Sequence, residues 1–105
     1  MKLLNIDYVP GKEIEALDIV KGTVVHTKNV GRDFMAAMKT LVGGELVGYT
    51  QMLNEARQIA IKRMVDEAEA LGADAVINIR YGTSSVMSGA AEVIAYGTAV
   101  KFLAK

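Results

Sequence analysis

Apolar and polar positions change period along the chain. The segment EIEALDIVKGTVVHTKN (13–29) is dominated by Val, Ile and Thr and keeps stretches of period two, Leu17 with Ile19 and Val20 with Val24. That pattern predicts an extended strand after a turn at PGK (10–12). Gly22 interrupts the alternation and predicts a bulge or bend, after which the buried face changes phase. In GRDFMAAMKTLVGG (31–44) the period lengthens. Phe34, Ala37, Met38 and Leu41 follow i, i+3, i+4, i+7, the stripe of a short helix. Asn29 or Gly31 caps its start, Asp33 sits in the first turn, and Gly43 and Gly44 stop it.

TQMLNEARQIAIKRMVDEAEALG (50–72) carries the strongest pattern. With Thr50 as N-cap and Gly72 as C-cap it predicts about 21 helical residues, roughly 32 Å long. On a helical wheel, Met52, Leu53, Ala56, Ile59, Ala60, Ile61, Met64, Val65, Ala68 and Leu71 form one apolar arc covering roughly two thirds of the circumference. Gln58, Glu69, Lys62, Glu55 and Asp66 make the solvent face. One sheet covers one face of such a helix, so the remaining apolar surface calls for another copy of the chain. Arg63 and Glu67 fall inside the arc at i, i+4. They are spaced to form an interface ion pair, with each other or across a subunit boundary, or else they reach water along the arc's edge.

ADAVINIRY (73–81) reads as a second long strand, GTSSVMSGAA (82–91) as a flexible loop, and EVIAYGTAVKFLAK (92–105) as a nearly continuously apolar last strand. The expected fold is α+β in one domain over residues 1–105. It is an antiparallel three-stranded sheet in order 1-3-2, packed on one long helix, with an extra short helix after strand 1. The sheet's other face then also needs cover, which argues again for assembly.

Composition narrows the functional classes. The 105 residues are 51% apolar and 23% charged, a content that supports a packed core. Twelve basic and twelve acidic residues balance, and the only adjacent basic pair is Lys62-Arg63, so no stripe suited to nucleic acid exists. The opening residues are broken by Asn5 and Asp7 before an export signal or membrane span could form, and a cytoplasmic location is expected. With no Cys, disulfides and thiolate chemistry are excluded.

NVGRDF, LVGGEL, Tyr49, EAR (55–57), LGADAVINIRY and YGTAVK together resemble the YbjQ family of small bacterial proteins. The resemblance implies a dodecin-like β-α-β-β subunit, a ring-like homo-oligomer of five copies, and a family label of "putative heavy-metal-binding". A divalent metal ion is therefore the implied cofactor. Soft metals favour three or four converging Cys and His ligands, and this chain has no Cys and one His. His26 could serve only by repetition around a ring; the alternative is an ordinary strand residue. Met35, Met38, Met52 and Met64 lie on apolar helix faces, where packing accounts for them.

No strand-to-helix GxSxG elbow or phosphate loop exists, and the one His has no nucleophile placed beside it in sequence. Arg32, Asp33, Glu45, Tyr49 and Arg57 mark one corner. It is either a pocket for a small anionic or polar ligand at a subunit boundary, or a salt-bridge network fixing the turn. Two functions follow: a small homo-oligomeric binding protein whose site is shared between subunits, or a structural or adaptor ring that binds another protein. A hydrolytic or isomerase enzyme at the same corner is a weaker third.

Overall fold

The computed structural model describes residues 1–27, 41–42, 45–87 and 90–103. Strand β1 is Lys2–Leu3, β2 Ile14–Thr27, β3 Leu41–Val42 and β4 Glu45–Leu46. Helix α1, Val47–Ala70, follows, and β5 (Ala75–Met87) and β6 (Ala90–Phe102) form the closing hairpin. The main sheet has the order β1-β5-β6-β2, with β1 parallel to β5 and the other pairs antiparallel. The three-stranded antiparallel sheet expected from the sequence is thus corrected to a four-stranded mixed one. β1 is two residues long, too short to carry a periodic signal, yet the segment it opens stays bonded to β5. Leu4 donates to the carbonyl of Val76 at 2.9 Å, and Asn78 donates to that of Ile6 at 2.9 Å.

Other expectations change for physical reasons. The described residues contain one helix, and most of the short helix expected over 31–44 lies outside them. Leu41 and Val42, read as its end, pair instead with Leu46 and Glu45. The long helix begins at Val47, so Thr50 lies in its first turn and is not the cap. The stretch 82–91, read as a loop, is mostly strand: Gly82 to Met87 pair with Ile94 to Ala90. Its polar residues reflect exposure, as at Thr83, Ser84 and Ser85, and not a break in pairing.

Gly22 makes no bulge. The β2–β6 register runs without a break from Asp18 to Thr27, and the irregularity lies earlier, between Ala16 and Asp18. The glycine serves close packing instead. A Cβ there would overlap the carbonyl oxygen of Ala60 and sit 2.5 Å from the Met64 nitrogen. Helix and strand therefore meet nearly backbone to backbone. The helix contributes Ala56, Ala60, Met64 and Ala68 to this core, one residue in four, against Val20, Val24, Val93, Ala95 and Ala99. The three alanines at that spacing permit the approach.

The helix ends as the sequence indicates. Gly72 has φ +76, its N–H donates to Glu69 and that of Ala73 to Ala68. This is the paired closure that a left-handed glycine allows, and Lys101 Nζ adds a bond to the Gly72 carbonyl at 2.9 Å.

A second bulge lies in β5, where Ile77 faces Thr98 but Arg80 faces Tyr96. Asn78 takes φ 55 there, a left-handed conformation that asparagine tolerates better than most residues. The extra residue turns Ile77 and Ile79 to opposite faces. Ile79 joins the helix-side core, while Ile77 joins Val9, Ala75 and Val100 in a second, smaller core under residues 4–14.

The molecule is a flat slab of 57 × 26 × 16 Å. Its radius of gyration is 17.0 Å, against about 13 Å for a compact chain of this length. Its surface is 6809 Å², against about 5,700 Å² from the usual scaling with mass.

Candidate functional site

Arg32 and Asp33, the centre of the corner read from the sequence, lie outside the described residues. Glu45 belongs to β4 and Tyr49 to the first turn of α1. Arg57 is two turns further on, roughly 12 Å along the axis from Tyr49 at the usual rise. It is half-buried, and its Nη1 donates to Asn54 Oδ1 at 2.9 Å. His26 sits near the end of β2, opposite Ala91.

Arg63 and Glu67 both turn to the open edge of β2. Arg63 Nη1 donates to the carbonyl of Thr23 at 2.6 Å, and Glu67 Oε1 accepts from the N–H of Lys21 at 3.4 Å. Among the described residues the ion pairs are Lys62–Asp66 and Lys101–Asp74. Both are solvent-exposed and contribute little.

The sheet face away from the helix is where the sequence reading missed most. Beyond the part covered by residues 4–14, which includes Ile77, it consists of cross-strand rows on β2, β6 and β5: Ile19–Thr98, Lys21–Tyr96–Arg80, Thr23–Ile94–Gly82 and Val25–Glu92–Ser84. Ile19 is 71% exposed and Val25 54%, with Tyr96 exposed between two cations. Arg80 is anchored there by bonds of 3.0 Å to the carbonyls of Asn5 and Ile79. The alternation of Ile19 and Val25 with Val20 and Val24 could have identified this face, had both sides of β2 been taken as apolar. On the helix, Ile59 remains 41% exposed, while Leu53, Ile61 and Val65 are half-buried. Apolar surface is thus left on both broad faces of the slab.

Among the described residues, one copy does not bring together the donors of a heavy-metal site. The chain has no Cys and one His, and among the described residues no group of three or more His, Asp or Glu comes together. This donor set does not fit the thiolate- and imidazole-rich coordination that soft metals favour. No helix among the described residues is long and apolar enough to cross a membrane.

Comparison with known proteins gives the family context. A family model for YbjQ, described as "Putative heavy-metal-binding", matches residues 1–103. A UPF0145 protein of Clostridium novyi is 64% identical over 103 residues, covering 98% of this chain and all of the relative. One from Alkaliphilus metalliredigens is 59% identical, with 98% of this chain and all of the relative covered. Another, from Thermotoga maritima, is 59% identical with 96% of each covered. A crystal structure of a DUF74-family protein of unknown function from Pediococcus pentosaceus superposes with a TM-score of 0.65 at 19% identity, covering 98% of both chains. That likeness concerns the fold alone. Full-length identity at this level, together with the match of the family model, makes this chain a member of the YbjQ family.

Proposed function

We propose that the protein is a homo-oligomeric binding protein whose ligand site is formed between copies, with five copies as the family resemblance implies. The observation that carries this reading is the slab itself. Its surface exceeds that of a compact chain, and apolar side chains remain exposed on both the sheet face and the helix. Packing the sheet face of one copy on the helix of the next would cover both at once. Such a head-to-tail contact closes into a ring when its rotation permits. A shared site also answers the donor shortage, since His26 and the corner of Arg32, Asp33, Glu45, Tyr49 and Arg57 then recur once per copy.

Sedimentation at micromolar concentration is expected to give a particle several times the 11.3 kDa of one chain. A stable, folded single chain would overturn the reading. Melting in the presence of Zn²⁺, Cd²⁺, Cu²⁺ or small anions then tests the ligand. At 100 times its dissociation constant, a bound ligand adds about 2.7 kcal/mol and raises the melting temperature accordingly. An assembled particle whose melting point none of these moves would favour the adaptor function instead. His26→Ala is expected to abolish any response to metal; an unchanged metal titration removes His26 from the site.

A further inference from the structure

An edge strand as long as β2 is a hazard. Among the described residues no strand pairs with the outer side of its fourteen residues, and unpaired strand edges invite pairing with another chain. In an antiparallel ladder, N–H and C=O groups alternate between the two sides of a strand. The bonds to the helix place Lys21 and Thr23 with their backbone groups on the open side, and Ile19 is in phase with them. Each of these three positions is engaged by a charged side chain. Asp18 Oδ1 accepts from the N–H of Ile19 at 2.7 Å, Glu67 accepts from that of Lys21, and Arg63 donates to the carbonyl of Thr23. The irregularity between Ala16 and Asp18 bends the same strand just before them.

Two of the three side chains come from α1, which lies close enough to reach the edge only because Gly22 lets it approach. Arg63 and Glu67 are exposed, and their charges are placed on backbone groups, with no ion pair between them. We infer that Arg63 and Glu67 form a guard that closes the β2 edge to strand addition by a second copy of this chain. The edge is a latent docking surface whose matching partner is the same edge of another copy, antiparallel to it. With the guard in place, copies that associate do so through the broad faces. This last point rests on the proposed assembly; the guard itself does not.

Two measurements test it. In Glu67→Ala, exchange of the Lys21 amide is expected to quicken at least tenfold over the wild type, while the Val20 and Gly22 amides keep their rates. In Arg63→Ala/Glu67→Ala, sedimentation is expected to show species larger than the wild-type particle that grow with concentration. Lys62→Ala/Asp66→Ala, which removes an exposed pair from the same helix, is expected to keep the wild-type mass. An unchanged Lys21 rate overturns the inference, as does a wild-type mass for the folded double variant or growth of the control variant. Should the double variant not fold, the Lys21 rate decides. A single-chain wild type would end the ring proposal while leaving both readouts of the guard intact.

Discussion

Gly22→Ala is expected to destabilise the protein by about 3 kcal/mol, the upper end of the range for overpacking a well-filled core. For a domain of this size that lowers the melting temperature by roughly 12–24 °C. The magnitude follows from what the added methyl would meet. It would overlap the Ala60 carbonyl oxygen and come within 2.5 Å of the Met64 nitrogen and 2.9 Å of Arg63 Cβ. Backbone atoms of a helix cannot rotate away as a flexible side-chain tip can, so the whole helix must shift from β2. That shift would also pull Arg63 and Glu67 off the strand edge and open the contacts of Ala56, Met64 and Ala68. Gly82→Ala makes a control, because its methyl would meet only Ile94 Cγ2, at 3.0 Å. Melting curves of the two variants decide the matter, and a Gly22→Ala protein melting within two degrees of wild type would contradict the close packing described.

The same glycine shows what a sequence reveals and what it hides. A glycine inside a Val- and Thr-rich run signals that something unusual happens, but a bulge and a close approach leave the same trace. Only the partner, 38 residues away at Ala60, tells them apart. Signals with local causes read more directly. Gly72 closes the long helix because a left-handed residue is needed there whatever the tertiary contacts. At the other end, Thr50 looks like a cap, yet the helix extends back to Val47. Serine and threonine at 83–85 look like a loop, yet the chain continues as strand, because polar residues in an exposed hairpin satisfy pattern and pairing alike. β1 is a two-residue strand, too short for any period.

The candidate site divides in the same way. Arg63 and Glu67 stood out as charges within an apolar arc, and their destination is the strand edge. The wheel gives their direction on the helix; that an unpaired strand lies in that direction depends on the sheet order. The exposed face of β2 was obscured because this edge strand carries apolar residues on both sides, Val20 and Val24 for the core, and Ile19 and Val25 with no cover among the described residues.

That second side sets the other large effect. In the proposed assembly, Ile19→Glu/Val25→Glu is expected to separate the copies into single folded chains of 11.3 kDa. Within one copy the cost is modest: both side chains are more than half exposed, and the main penalty is the new carboxylate at 25 facing Glu92 across the strands, a cross-strand effect of about 0.2–1 kcal/mol. Between copies the cost is different in kind. A carboxylate buried without a partner is penalised by about 3–5 kcal/mol. One such charge per contact weakens association by roughly two to nearly four orders of magnitude at 1.4 kcal/mol per decade. A Gln58→Glu variant places the same group on the solvent face of the helix and is expected to keep the wild-type mass. Sedimentation with circular dichroism separates dissociation from unfolding. If the double variant folds and retains the wild-type mass, this sheet face is not what joins the copies, and its apolar residues must serve a different partner.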